Sequence, residues 1–293
     1  MDAFVSLLGA AVILTVLRDL FHTLWHPTRR GGVSRVVMTL MWRAARLFPA
    51  HRRVAGLAGP LAMVTVVGLW AMAIVLGWAL VYVPHMPEEF TFSRGLEPTE
   101  HADLLDSVYF SLVTVGTLGF GDIAPTSTWL RIVAPLEALI GFALLTATVS
   151  WVLEIYPALT RRRALALRLA TLRRATPTRE QMHSTLGAVL LENLAADLSR
   201  VRIDFSQYPE SYYFHDGEHA DLALAALVGY AAELARDGRA SDRADVRLAA
   251  AVLTDTLEEL ATTLDQRFLH TGGTPAEVFA AFARDHDRTP HGA

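Results

Sequence analysis

The chain has 293 residues, 52% of them hydrophobic, and no cysteine, which excludes disulfides, thiolate zinc sites and thiol chemistry. Its formal net charge is −4, but residues 1–179 carry 17 basic and 11 acidic side chains, whereas residues 180–293 carry 9 and 19. The sequence therefore divides into a basic part, which holds the apolar runs, and an acidic part.

The first apolar run lies at the start of the chain and predicts an N-terminal transmembrane helix over residues 1–27. It is apolar up to Leu17 and then carries Arg18 and Asp19, whose charged ends we expect to reach the membrane surface. Residue 2 is acidic, and no small-residue cleavage site precedes the basic residues that follow. We therefore expect a membrane anchor rather than a cleaved signal peptide.

Residues 28–59 form a linker that is rich in arginine and contains no acidic residue. Within it, residues 33–48 place apolar side chains at helical spacing between arginines, which predicts an amphipathic helix at the membrane surface. A second arginine-rich segment, residues 157–176, follows the last apolar run and predicts a basic linker helix. The positive-inside rule places both segments in the cytoplasm, with the N-terminus outside and the C-terminal domain inside.

Two further apolar runs are long enough to cross a membrane, because a spanning helix needs about 20 residues. Residues 61–83 contain no charged side chain, and residues 132–153 contain one, Glu137. A charge inside a membrane span is a functional candidate by default. For Glu137 the alternative is a buried hydrogen bond to the short helix that precedes it.

That short helix is predicted at residues 106–114, DSVYFSLVT, with Asp106 as its N-cap. Nine residues cannot cross a bilayer, so the segment must enter and leave on the same side, covered by other protein. The following residues contain Thr-x-Gly twice, at 114–116 and at 117–119. Only the second copy continues into an aromatic residue, a glycine and an aspartate.

The sequence YFSLVTVGTLGFGDIAP, residues 109–125, resembles the pore loop of tetrameric potassium channels. Residues 60–156 resemble the two-transmembrane pore module of that family. The resemblance implies an outer helix at 61–83, a pore helix at 106–114, a selectivity filter at 117–121 and an inner helix at 132–156. It also implies a gating hinge at Gly141, which lies 24 residues after the filter threonine.

The resemblance implies which residues bind the ion and which support the loop. Backbone carbonyls replace the water shell of potassium in such filters. The implied ligands are the carbonyl oxygens of Thr117, Leu118, Gly119 and Phe120, together with the Thr117 hydroxyl, in a loop that Gly121 completes. The implied supports of the filter are Thr114, Asp122 and Glu137.

Two departures from the family pattern bear on ion selectivity. Leu118 stands where valine or isoleucine is usual, and Phe120 stands where tyrosine is commoner. A potassium-selective channel and a weakly selective cation channel therefore both remain open. Because four loops are needed to surround an ion and each chain has one, the expected assembly is a homotetramer.

The acidic part predicts a helical cytoplasmic domain over residues 177–287, followed by a tail at 288–293. Its first helix is expected to begin with Thr176 as N-cap and Pro177 at the first helical position. The expected helices lie at 177–201, 218–236, 242–269 and 275–286. No G-x-G-x-x-G motif is present, so we expect no dinucleotide-binding module.

One basic segment before the acidic part and two segments within it have more than one interpretation. The basic residues 161–179 are expected to pair with the acidic domain or with anionic lipid. The aromatic residues 208–214 predict an ordered loop packed on its own domain, with a ligand pocket as the alternative. His215 and His219 have a spacing that can bind a metal, but no third ligand is evident, so we expect a helix start with solvated charges.

The sequence thus predicts an all-α membrane protein that conducts potassium passively as a homotetramer. We expect potassium ions in the filter, no cofactor, no enzymatic activity and no nucleic-acid partner. Lipids, in particular anionic ones, are expected at the arginine-rich segments, and no gating ligand is identified. The alternative from another class is a membrane-anchored signalling or scaffold protein with a non-conducting loop.

Overall fold

The computed structural model describes residues 2–24, 32–47, 52–93, 103–216 and 219–289. Within these residues the protein is helical apart from two short strands that pair antiparallel, β1 (Phe90–Phe92) and β2 (Ile123–Pro125). The helices are α1 (Asp2–Leu24), α2 (Val33–Leu47), α3 (Arg52–Tyr82), α4 (Asp103–Val115), α5 (Leu130–Ala175), α6 (Arg179–Met182), α7 (Thr185–Gln207), α8 (Leu224–Arg239), α9 (Ala244–Leu264) and α10 (Pro275–Asp285).

The chain divides into two compact units. The transmembrane unit comprises Met1–Val37 and Ala62–Leu153, and the C-terminal unit comprises Met38–Leu61 and Glu154–Ala293. Helices α2, α3 and α5 each contribute residues to both units.

Three helices are long and apolar enough to cross a membrane. They contain the segments Asp2–Thr23, Leu57–His85 and Leu130–Ala175. The predicted class of all-α membrane protein is confirmed. Residues 25–27 of the predicted N-terminal span lie outside the described residues.

Within the transmembrane unit, α1 and α3 approach closely at two glycines. A β-carbon on Gly77 would come within 2.8 Å of the Ile13 side chain, and one on Gly9 would overlap the Gly77 carbonyl group. Small residues allow helix backbones to pack closely in membranes, where apolar burial gives no net drive for association. Helix α1 therefore packs on α3 of its own chain.

Helix α4 begins earlier than the sequence predicted. It starts at Asp103, so Asp106 lies in its first turn and the prediction of Asp106 as N-cap is wrong. Acidic side chains in a first helical turn interact favourably with the helix dipole. Asp103 and Asp106 both occupy that turn, which explains why the helix extends to the earlier acidic residue.

Helix α5 does not end at residue 156, where the inner helix was predicted to end, but continues through Pro157 to Ala175. The separate basic linker helix at 157–176 is thus the last part of α5. Proline removes one helical hydrogen bond, and tertiary packing offsets this loss because Ala158 and Leu159 are buried directly after it. The prediction that Thr176 caps the next helix is also wrong.

The segment after α5 shows why Thr176 is not a cap. Thr176 adopts a left-handed φ of 44°, and Thr178 is the N-cap of α6, with Gln181 closing a reciprocal capping box. A threonine followed three residues later by glutamine satisfies two free backbone N–H groups of a helix start. Helix α7 then runs to Gln207, past the predicted break at residue 202, because Phe205 is buried.

The C-terminal unit is built around α9, which packs along α7. The two helices run in the same direction, because Arg243 donates to Thr185 near their starts and Arg202 pairs with Glu259 near their ends. The aromatic segment 208–214 forms a buried turn, as expected of an ordered loop. In it, Tyr212 stacks on Phe268 with ring centroids 4.1 Å apart.

The arginines at the end of α5 pair with acidic residues of the same unit, which is the first of the two predicted alternatives. Arg162 and Asp216 are each 2% exposed and form an ion pair of 2.6 Å. Arg162 also donates to the carbonyl oxygens of Ser211 and Phe214. The further pairs are Arg161 with Asp204, Arg168 with Asp197, and Arg174 with Asp221.

The expectation of solvated charges around His215 is wrong, because Asp216 is buried with Arg162. The His215 ring lies against Trp42, with centroids 4.6 Å apart. Among the described residues no group of three or more histidine or acidic side chains could hold a metal. Gly217 and Glu218, which separate His215 from His219, lie outside those residues.

Replacing Asp216 by asparagine should destabilise the protein by about 3–5 kcal/mol, because it leaves the buried Arg162 without its counter-charge. The matched control is Asp221→Asn, which breaks an exposed pair with Arg174 and should cost about 1 kcal/mol or less. Thermal unfolding of the full-length protein in detergent, followed by circular dichroism, measures both. Equal losses in the two variants would contradict the role assigned to the buried pair.

Acid should destabilise the C-terminal unit through His215. Burial lowers the pKa of His215 below its ordinary value of 6.5, so the unfolded chain takes up this proton more readily than the folded one. The contribution is complete above that value and is lost as the pH falls below it. The unfolding temperature should drop between about pH 7.5 and about pH 5.5, and less so in His215→Gln; an unchanged drop would contradict this.

Candidate functional site

The loop with the repeated Thr-x-Gly is positioned by α4, which packs along α5. Ser111 of α4 contacts Glu137 of α5, and Val115, one turn later, lies against Gly141, also one turn later. Residue numbers increase along both helices in step, so α4 and α5 run in the same direction. The loop directly follows the C-terminal end of α4, which carries the negative end of the helix dipole.

Glu137 holds three helices together with its carboxylate. It accepts hydrogen bonds from the Ser111 hydroxyl of α4 at 2.5 Å and from the Tyr82 hydroxyl of α3 at 2.6 Å, and it is fully buried. Both oxygens of a buried carboxylate are thus satisfied, as burial of a polar group requires. This is the geometry of the second alternative predicted for Glu137, a hydrogen bond to the preceding short helix.

Gly141 lies where α5 meets the end of α4. A β-carbon at this position would overlap the Val115 carbonyl oxygen and come within 3.0 Å of its Cα. Glycine is therefore required here for packing, and α5 is helical on both sides of it. The role of Gly141 as a gating hinge stays a prediction.

The far end of the loop is anchored by the small sheet. Residues 90–92 pair with residues 123–125, and the Ser93 amide donates to the Asp122 carbonyl oxygen at 2.8 Å. The segment after α3 thus holds the segment that leaves the loop. This sheet was not predicted from the sequence, because three-residue strands give too little alternation to be recognised.

A side-chain hydrogen bond ties the same end of the loop to α4. The Tyr109 hydroxyl donates to Asp122 at 2.5 Å and holds the pKa of that carboxyl below its usual range. Asp122 was predicted as a support of the loop, whereas its partner Tyr109 was noted only as part of the motif. The bond between Tyr109 and Asp122 therefore connects the loop to α4. This connection does not depend on a tyrosine hydroxyl at position 120, where this chain has phenylalanine.

The backbone N–H groups of the loop point back to α4. The amides of Leu118 and Gly119 donate to the Val113 carbonyl oxygen at 2.9 and 3.4 Å, and the Thr117 amide donates to Thr114 at 2.9 Å. These bonds satisfy carbonyls that would otherwise be unpaired at a helix end. In the described part of the chain, no N–H or O–H group donates to the carbonyl oxygens of residues 117–120.

The loop alternates in backbone handedness. Thr117, Gly119 and Gly121 have left-handed φ values of 56°, 58° and 75°, whereas Leu118 and Phe120 between them do not. Two glycines adopt such angles readily, but Thr117 does not, and its left-handed conformation was not expected from the sequence.

The loop is exposed in the single chain. All residues from 117 to 121 are exposed, and the side chains of Leu118 and Phe120 are 61% and 65% exposed. Helix α5 also exposes a continuous apolar stripe. Its residues are Ile132, Leu136, Leu139, Phe142, Leu145, Val149 and Leu153.

Comparison with known proteins finds a family match over the region that contains this loop. Residues 68–156, which include α4, the loop and the beginning of α5, match the family model described as "Ion channel". The match points to a membrane transport protein rather than to an enzyme. No solved structure matches the chain significantly.

The relatives are similar over different lengths. The "Uncharacterized membrane protein YdjJ" of Bacillus subtilis (strain 168) is 24% identical over 71% of this chain and 62% of its own length. The "Two-pore potassium channel 5" of Arabidopsis thaliana is 35% identical over 26% of this chain, and the "Two pore potassium channel c" of Oryza sativa subsp. japonica is 34% identical over 27%. The matched segments span only 20% and 18% of those two plant channels.

Replacing Glu137 by alanine should destabilise the transmembrane unit, because it leaves the Tyr82 and Ser111 hydroxyls buried without an acceptor. Each unsatisfied group costs about 1–3 kcal/mol. Glu137→Gln is the matched control, since an amide retains the shape and can both accept from and donate to hydroxyls. Heat denaturation of the detergent-solubilised protein measures the difference, and equal stability of the two variants would contradict the role of the carboxylate.

Proposed function

We propose that the protein is a potassium-selective channel in which residues 117–121 of four chains surround the ion path. The observation that carries this proposal is the loop backbone. The amides of residues 117–119 donate to α4, while the carbonyls of residues 117–120 have no donor among the described residues. Carbonyl oxygens without a protein donor can replace the water around a potassium ion.

Potassium as the conducted ion is supported by the loop sequence and by the relatives. Two relatives are named as potassium channels, and the pattern Thr-Leu-Gly-Phe-Gly-Asp at 117–122 resembles a potassium filter. Thr114, Asp122 and Glu137 are the proposed supports of this filter, and Gly141 is the proposed hinge. The protein needs no cofactor for passive conduction, and it has no proposed nucleic-acid partner.

A homotetramer is supported by the surfaces that are exposed in the single chain. One chain supplies one loop, the loop is exposed, and the apolar stripe of α5 is not covered by any other part of the chain that the structure describes. Burial of these side chains against copies of the same chain would stabilise the assembly at about 25 cal/mol per Å² of apolar surface. Four copies are the smallest number that closes a ring of such carbonyls around one ion.

The proposed orientation follows from the distribution of arginines. Both arginine-rich segments, 28–59 and 157–176, lie in the cytoplasm, and the N-terminus lies outside. The C-terminal unit is then a cytoplasmic domain that gates the pore. Because α5 is one uninterrupted helix from Leu130 to Ala175, a change in that domain can act on the pore through the helix backbone. The described residues do not indicate which ligand would gate the pore.

Potassium flux into liposomes that contain the purified protein tests the proposal. We expect flux that barium blocks. If an intact tetramer gives no flux, the channel is contradicted and a membrane-anchored signalling or scaffold protein is the remaining candidate. Reversal potentials in mixed sodium and potassium then separate a selective filter from the weakly selective cation channel that Leu118 and Phe120 leave open.

Gly119→Ala should abolish flux without preventing assembly. The left-handed φ of 58° at this position costs a residue with a side chain about 1–2 kcal/mol, and relief of that strain would turn a filter carbonyl away from the ion. Gly272→Ala is the matched control, because Gly272 has a similar φ of 65° and lies in the C-terminal unit. Normal flux in Gly119→Ala would overturn the filter assignment.

A further inference from the structure

Of the two arginine-rich segments, the one at the end of α5 is already occupied by protein. Arg161, Arg162, Arg168 and Arg174 each pair with an aspartate of the C-terminal unit. Because these charges are matched within the chain, anionic lipid is not needed to neutralise them. The remaining segment with described residues is α2.

The start of α2 is fixed at the end of a membrane span. Asp19 of α1 accepts hydrogen bonds from the amides of Gly32 and Val33 at 3.0 and 3.2 Å, so a side chain of the span caps α2. The indole N–H of Trp70 in α3 donates to the other Asp19 oxygen at 2.9 Å. Asp19 lies five residues before the end of α1, which is roughly 8 Å of helix.

One more contact strengthens this attachment. The hydroxyls of Thr23 in α1 and Ser34 in α2 lie 3.4 Å apart, and both residues are fully buried. Helix α2 therefore leaves α1 at the level of its last turns, where a transmembrane helix meets the lipid headgroups.

The two sides of α2 differ in what covers them. Ser34 is buried in the transmembrane unit, and Met38 and Trp42 are buried in the C-terminal unit. These residues are spaced four apart and define one side of the helix. The opposite side exposes Val33, Val36 and Leu40 by 40%, 57% and 59%, and it ends with the exposed Arg43.

We propose that this opposite side of α2, formed by Val33, Val36, Leu40 and Arg43, is a docking surface for the anionic lipids of the bilayer. The three apolar side chains enter the boundary between headgroups and acyl chains. The Arg43 guanidinium carries the charge that distinguishes anionic from zwitterionic headgroups. The proposal rests on the membrane location and not on ion conduction.

The chain has no cysteine, so a single introduced cysteine can carry a fluorescent label at a chosen place. The full-length protein with a labelled Val36→Cys is reconstituted in phosphatidylcholine liposomes. Quenching by lipids with a spin label on the acyl chain is then compared with quenching by iodide in water. Leu186→Cys, at a site 74% exposed in the C-terminal unit, is the matched control.

We expect lipid to quench the label at position 36 and iodide to quench the label at position 186. If iodide alone quenches position 36, this side of α2 faces water and the proposal is overturned. If neither quencher reaches it, a protein surface covers α2, and the proposal is likewise overturned. None of these results depends on flux, so a protein that does not conduct still gives a clear answer.

The anionic preference is measured with the same label in mixed liposomes. Spin-labelled phosphatidylglycerol should quench position 36 more strongly than spin-labelled phosphatidylcholine at low salt. Arg43→Gln should lower this preference roughly fivefold, because an arginine near the surface contributes about 1 kcal/mol. Arg239→Gln, an exposed arginine of α8, is the control and should change nothing. Equal quenching by the two lipids in the unmodified α2 would overturn the proposal.

Discussion

The constraint on which the rest of the structure depends is the satisfaction of backbone hydrogen bonds at the end of α4. Backbone N–H groups that water does not reach need an acceptor within the protein. The carbonyl oxygens of Val113 and Thr114, at the helix end, in turn need hydrogen-bond donors from outside the helix. The amides from Thr117 to Gly119 meet both needs at once, and the loop carbonyls are left without protein donors.

This arrangement requires that α4 be held at a fixed place along α5. Glu137 provides the polar part of that attachment through Ser111 and Tyr82, and Gly141 allows the end of α4 to approach the α5 backbone. Removing the Glu137 carboxylate therefore affects how α4 packs on α5 and not only a single hydrogen bond. At the other end, the Tyr109–Asp122 bond and the pairing of β1 with β2 limit how far the loop can move.

The segregation of charge along the chain has a structural counterpart. Arginines at the end of α5 pair with aspartates of the acidic part, and the pair between Arg162 and Asp216 is buried. A buried pair costs desolvation, but losing one partner costs more. These ion pairs therefore hold the last part of α5 against the helices of the acidic part. Helix α2 also bears arginines, and it has an exposed apolar side.

Much of the transmembrane unit could be predicted because its signals are local. Long apolar runs indicate spans, and the residues 117–122 form a motif with a defined order. Predictions of element ends were less accurate. Asp106 and Thr176 were plausible caps by residue type, but α4 already begins at Asp103, and Thr178 is the residue that caps α6. Only the packed structure shows these helix starts.

The sequence by itself determined the membrane class, the position of the loop and the separation into basic and acidic parts, because each follows from residue type along the chain. Tertiary structure decided which groups meet. Asp19 caps α2 across an intervening segment, Tyr109 reaches Asp122, and Glu137 joins Tyr82 to Ser111. Such pairings depend on helix directions and depths that periodicity does not encode, since a hydrogen bond requires two atoms within about 3 Å in space.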